Sequence, residues 1–231
     1  MNELKYDIGI VVTAHYSNKL RKNGKEYLES MVSSAEKHLK VRYKIFVMDN
    51  ESETPFQSND KYSVTRFENQ IKGGLSRTWN CGVKLAYESN SEIIIVCNDD
   101  IMFTDSVNDL YQYCVSNEDR ENCFIGPISD GAFNKRQRGS KPKSGVKDYS
   151  HRKGTQGRKG YAINGFCQAF HKDFYIKYKV NGKLWNIDGK SQLWGGEEYD
   201  LYDRCNPLGM RSIVYRPWFV KHHGIHGWKK I

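Results

Sequence analysis

Two acidic clusters and a late run of histidines are the side chains in this 231-residue chain whose types and spacing could do chemistry. Asn98-Asp99-Asp100 follows the apolar run Ile93-Ile94-Ile95-Val96-Cys97, so its carboxylates would project where a buried strand ends. Adjacent acids in that position make a hard-oxygen site for Mg²⁺ or Mn²⁺. Capping a following helix is the other use of such an acid, and Asp105, beside residues 106–116, suits that use better. Glu197-Glu198-Tyr199-Asp200 places three carboxylates in a first helical turn after Gly195-Gly196. One of them could serve as a general base; favourable charge against the helix dipole is the alternative. Trp194, just before, offers a flat apolar face on which a sugar ring could stack. His222, His223 and His226 could supply an imidazole to a metal held by the Asp pair, or could be tail residues without a role. His15 is open in the same way.

The elements that must position these groups read as alternating strands and helices. Residues 8–14, 43–48 and 92–97 are β-rich apolar runs of the kind buried on both faces of a sheet. Residues 25–39 carry Tyr27, Leu28, Met31, Val32, Ala35 and Leu39 at helical spacing, and Gly73-Gly74 opens a helix with Leu75, Trp79, Val83 and Ala86. Val107, Leu110, Tyr111, Cys114 and Val115 mark a third helix. Short strands are expected at 63–67, 123–128 and 211–216, a strand-like stretch at 161–171, and a polar helix from Glu197 to about Cys205. Alternation of this kind predicts an α/β fold with a mostly parallel central sheet flanked by helices. Ligands of such sheets bind at the carboxyl ends of the strands. Thr13-Ala14-His15, Asp49-Asn50-Glu51 and Asn98-Asp99-Asp100 all stand at expected strand ends.

The charge is local. Lys plus Arg number 36 and Asp plus Glu 27, a net +9. Residues 131–160 hold ten basic residues and one acid, Asp148, so the rest of the chain is balanced. A neutral body with one basic loop argues for a local task rather than diffuse polyanion binding. A nucleic-acid or polyanion binder working through 131–160 is the rival reading, but it leaves both acidic clusters without a purpose. The six cysteines show no C-x-x-C pair, which excludes a zinc ribbon and fits a reducing compartment. No secretory h-region and no membrane-length apolar stretch is visible, so a soluble, cytoplasmic protein is expected, with no nucleic-acid partner.

Taken in order, these segments resemble a GT-A-fold, family 2-type inverting glycosyltransferase. The pieces are Thr13-Ala14-His15, Asp49-Asn50-Glu51-Ser52, Asn69 with Gly73 and Asn80, Asn98-Asp99-Asp100 in the D-x-D position, and Glu197-Glu198 in the E-D position. Trp194-Gly195-Gly196-Glu197-Glu198-Tyr199-Asp200 is similar to a segment of β-1,4-galactosyltransferases. The resemblance implies one GT-A domain over residues 1–231, with a nucleotide-sugar half (1–105), an acceptor half (106–231) and a smaller acceptor-side sheet. It implies that Thr13, Ala14, His15, Asp49, Gly73, Gly74, Asn80 and Asp99 bind the nucleotide-sugar, UDP-linked by preference, with Asp49 on the base. It implies metal ligation (Mn²⁺ or Mg²⁺) by Asp100 with His222 or His223, catalysis by Glu198 and Glu197, and acceptor binding by Trp194, Gly196 and Glu197. Asn98 stands where the first Asp of D-x-D is usual, and Glu198 where the base is commonly Asp. Under this resemblance the basic loop would close over the donor diphosphate, and a hydroxyl of a glycan or glycoconjugate would be the acceptor.

Overall fold

A computed structural model describes residues 6–19, 21–68, 74–132, 134–150, 163–187 and 197–223, with backbone alone for 74 and 197–199. Three apolar runs become the middle of a sheet: β1 (Tyr6–Ala14), β2 (Tyr43–Asn50) and β4 (Ser91–Asn98). β1 lies between β2 and β4, all parallel, and β3 (Tyr62–Phe67) joins the far side of β2 in the same sense. From Ile8 to Ala14 every β1 residue is buried, because helices cover both faces of the sheet.

On one face α1 (Gly24–His38) and α3 (Val107–Ser116) pack Leu28, Met31, Val32, Leu110 and Cys114 against Ile8, Ile10, Val12 and Ile95. On the other, α2 (Gly74–Glu88), α4 (Lys172–Tyr178) and α5 (Glu197–Cys205) pack Trp79, Val83, Phe174 and Tyr202 with Val11, Ile94 and Phe124. Each cluster removes a continuous apolar layer from water, the main driving force for this arrangement.

The second half of the chain extends the same sheet with mixed polarity. β5 (Ile101–Met102), β6 (Cys123–Ser129), β7 (Val146–Asp148), β8 (Cys167–His171) and β9 (Arg211–His222) complete the strand order β3-β2-β1-β4-β8-β6-β9-β5, with β7 beside β9. β8 runs antiparallel to β4 and β6, β9 parallel to β6, and β5 and β7 antiparallel to β9. Parallel pairing is thus concentrated in the first half. The acceptor-side strands join the central sheet through β8 and β6, and the short β5–β9 ladder lies at its far end.

Three sequence expectations change here. Of the stretch 161–171, residues 161 and 162 lie outside the described residues, and the rest is a strand only from Cys167, since the N–H groups of Ile163 and Asn164 donate to the Tyr202 hydroxyl and the Gln137 side chain instead. β9 runs twelve residues rather than stopping at Arg216. Its register against β6 jumps from Gly126–Val214 to Ile128–Phe219, and Pro217 sits in that excursion, where no ladder N–H is needed. The basic segment is not all loop. β7 lies within it, Arg138 forms a bridge with Ser129, and residues 151–160 lie outside the described residues.

Candidate functional site

The carboxyl ends of β1, β2 and β4 converge as the sheet rule requires. The loop after β1 is tied down first. Tyr16 N–H donates to Ser52 Oγ at 2.9 Å and Glu53 N–H to the Tyr16 carbonyl at 2.9 Å. Glu53 accepts from Asn18 N–H and from Ser17 Oγ, bonds that hold its carboxyl below the ordinary range. Gly24, opening α1, lies so close that a Cβ would stand 2.1 Å from the His15 carbonyl oxygen. Only glycine permits that approach. The His15 ring then donates Nδ1–H to the Asn50 carbonyl at 2.8 Å, which leaves Nε2 as the acceptor nitrogen.

Asp99 and Asp100 are almost wholly buried at the end of β4. Asp99 accepts from His15 N–H at 3.4 Å and from the Arg21 guanidinium, which also stands 3.4 Å from Asp100 Oδ2. Burial raises the Asp99 pKa, opposed by Arg21 and reinforced by the Asp100 charge. For Arg21, burial works against the cation, but the two carboxylates outweigh it and raise its pKa.

β9 brings the histidines to the same place. His222 Nε2 is 3.7 Å from Asp100 Oδ1, and its backbone N–H donates to Asp130 at 2.9 Å. Gly131 packs against the His222 ring, where a Cβ would come within 2.5 Å. His223 N–H donates to the Asp100 carbonyl at 2.6 Å, and its ring stacks on Tyr27 with centroids 5.7 Å apart. Asp100 Oδ1, His222 Nδ1 and His223 Nε2 are buried without a hydrogen-bond partner.

Among the described residues no three His, Cys, Asp or Glu side chains converge as a ready-made metal cluster. The donors present nevertheless suit a hard divalent ion. Two ligand atoms on such an ion stand no more than about 4 Å apart, and the Asp100 Oδ1 to His222 Nε2 spacing lies within that span.

Other expected residues have different surroundings. Asp49 has no exposed side-chain surface; its oxygens accept from Ser52 N–H at 3.1 Å, Phe56 N–H at 3.2 Å and Arg66 at 2.9 Å. These bonds shape the loop after β2. Ala14 is fully buried, and Thr13, 7% exposed, donates to Thr78 Oγ1, itself bonded to the Leu75 carbonyl. Asn80 uses both ends of its amide to clamp Leu184 and Trp185 to α2.

Gly74 is the first residue of α2, and Glu197 and Glu198 are the first two of α5. That helix is seated by buried Leu201, Tyr202 and Cys205, and by Arg204 donating to the Tyr178 and Leu184 carbonyls. Asp200 Oδ2 is buried there and accepts no hydrogen bond. Gly73, Trp194, Gly196 and His226 lie outside the described residues. The sequence reading missed Arg21, Tyr27 and Asp130. Nothing in the spacing of Lys19-Leu20-Arg21-Lys22 marks one of its cations as the partner of acids 78 residues away.

No protein-family model matches this chain, and no curated protein matches it in sequence. Solved structures do. GalNAc-T7 with UDP, GalNAc and Mn²⁺ aligns with a TM-score of 0.65 at 15% identity, over 98% of this chain and 46% of that one. S. aureus TarS 1–349 aligns at 0.53 and 10% identity, over 96% of this chain and 62% of that one. Its complex with UDP-GlcNAc aligns at 0.57 and 12%, over 97% and 61%. These neighbours are GT-A-fold glycosyltransferases, and the chain shares their fold while spanning roughly half to three-fifths of their length. Among the described residues, no helix is long and apolar enough to cross a membrane.

Proposed function

We propose that this chain is a metal-dependent, inverting glycosyltransferase that moves a sugar from a UDP-sugar to a hydroxyl of a glycan or glycoconjugate. One observation carries the reading. A buried acid pair at the carboxyl end of β4 leaves Asp100 Oδ1 without a hydrogen-bond partner, 3.7 Å from His222 Nε2, in a fold shared with structures that hold UDP, UDP-GlcNAc and Mn²⁺.

Asp100 and His222 are the residues that would hold the divalent ion; Asp99 would face the ribose or donor sugar. When bound, that ion supplies charge neutralisation for the departing diphosphate. His15, fixed by the Asn50 carbonyl and by Gly24, would line the nucleotide pocket with Thr13 Oγ1 nearby. Glu198 would take the acceptor proton as the new glycosidic bond forms on the face opposite the leaving group, with Glu197 and Trp194 positioning the acceptor. Cations of the 131–160 segment would shield the diphosphate from water.

A thermal-shift panel of UDP-, GDP- and dTDP-sugars, with and without Mn²⁺, tests this. A ligand that binds only the native state raises Tm by mass action. The expected result is a Mn²⁺-dependent rise with UDP-sugars that Asp100→Ala abolishes. No rise with any nucleotide, together with salt-sensitive RNA or DNA binding, would overturn it in favour of a polyanion binder.

A further inference from the structure

Two buried carboxylates at the end of β4 share one guanidinium. Arg21 reaches both Asp99 and Asp100, and its position is built rather than incidental. The Ser17–Arg21 bridge pins its backbone through paired hydrogen bonds of 3.0 and 3.3 Å, and Gly24 N–H donates to the Arg21 carbonyl at 3.1 Å. The guanidinium lies 5.4 Å from the centroid of the Tyr27 ring, which also stacks on His223. Its side chain is 19% exposed against 2% and 4% for the two aspartates, so it covers the pair on the solvent side.

Two facts follow from charge and reach. A divalent ion approaching Asp100 Oδ1 meets a fixed positive charge on the neighbouring oxygens, and like charges on one carboxylate pair repel. The arginine backbone is held while the long side chain retains its rotatable bonds, so the guanidinium can leave without the loop moving. A diphosphate offers the planar guanidinium a two-pronged partner of higher charge than a single carboxylate.

We propose that Arg21 is an internal competitor for the divalent ion, which holds Asp99 and Asp100 until a nucleoside diphosphate draws its guanidinium away, so that metal and nucleotide bind as a linked pair. This rests on the functional reading above and adds to it a positioning residue with a sign. Arg21 opposes metal binding in the absence of nucleotide and favours nucleotide binding in the presence of metal. Linkage makes the coupling reciprocal, and sites coupled in this way commonly differ 5- to 150-fold in affinity.

The test is a Mn²⁺ titration followed by electron paramagnetic resonance of the free aquo ion, on the full chain, without and then with UDP. Wild type should bind Mn²⁺ weakly alone and about tenfold more tightly with UDP. Arg21→Gln should bind Mn²⁺ alone about tenfold more tightly than wild type and lose most of the gain on adding UDP. Arg21→Lys, which keeps the charge without the fork, should fall between them, and it carries the comparison if circular dichroism shows Arg21→Gln unfolded. Mn²⁺ affinity in Arg21→Gln equal to or below wild type, with UDP still enhancing it, overturns the role of Arg21 alone. Absence of Mn²⁺ binding in every protein, with and without UDP, overturns that role and the functional reading together.

Discussion

β2 and β4 flank β1 and run parallel to it, and each ends in a buried aspartate opposite an arginine, yet the two ends are built to different specifications. At the end of β2, Asp49 faces Arg66 and accepts two backbone N–H bonds as well. Arg66 also reaches Glu68, and the Asp49 carboxylate is satisfied by the loop it organises. At the end of β4, Asp99 and Asp100 share Arg21, two carboxyls to one guanidinium, and Asp100 Oδ1 accepts no hydrogen bond. Buried polar groups in folded proteins are nearly always paired, so the orphaned oxygen calls for an explanation, and a bound cation is the one proposed above. Satisfaction, more than burial or residue type, is what separates the two strand ends.

The largest way to sharpen this contrast is Asp49→Ala. Removing the buried carboxylate takes from Arg66 its buried partner and leaves two loop N–H groups without an acceptor, so a loss of about 3 kcal/mol is expected from urea denaturation. A loss under about 1 kcal/mol would mean that the β2 end is not held by its carboxylate. Next comes Gly24→Ala, whose Cβ would press on the His15 carbonyl. A backbone shift there should cost about 1–3 kcal/mol and weaken UDP binding, because His15 moves with the loop. Unchanged UDP affinity in a destabilised variant would separate His15 from the site.

A third group checks whether satisfaction governs elsewhere. His171, 2% exposed, caps α4 by accepting from Asp173 N–H at 3.1 Å, so Nδ1 must stay unprotonated. Burial lowers its pKa, opposed by Asp173 and Glu92. A histidine depressed in the folded state is protonated more readily when unfolded. Its contribution is therefore present above the ordinary value near 6.5 and is lost as pH falls through the folded pKa. His171→Asn keeps a capping oxygen without the titration. Its Tm should fall less than that of wild type between pH 7 and pH 5. Parallel pH profiles would remove His171 from the acid response.

The smallest stability effect is expected at the other end of the comparison. Asp100→Asn removes a like charge beside Asp99 and should leave the metal-free protein within about 1 kcal/mol of wild type, on the stable side if it moves at all. A loss as large as that of Asp49→Ala would make Asp100 a structural residue and dissolve the contrast.

Much of the scaffold was legible because it rests on local pattern. The unbroken apolar runs of β1, β2 and β4 read as doubly buried strands, and α5 was expected where it lies, Glu197–Cys205. Elements fixed by distant partners were not legible. β9 continues past Pro217 only because β6 allows a register jump, and α4 starts only because His171 turns its ring onto Asp173. Asp49 looked like a ligand contact from its strand-end position. A competing signal was present in Asp49-Asn50-Glu51-Ser52, an Asx-type turn in which Asp49 binds Ser52 N–H and Glu51 takes a φ of 58°. The acid pair was visible from residue type alone. Arg21 was not, since only the folded loop brings it there.

Calorimetric titration of UDP in saturating Mn²⁺, on wild type and Asp100→Asn side by side, tests the site most directly. Wild type is expected to bind UDP with Mn²⁺ and to lose that binding when the metal is chelated, while the equally stable Asp100→Asn protein binds at least tenfold more weakly. Equal UDP affinity in the two proteins, or none in wild type, would contradict the assignment of the β4 acid pair as the donor site.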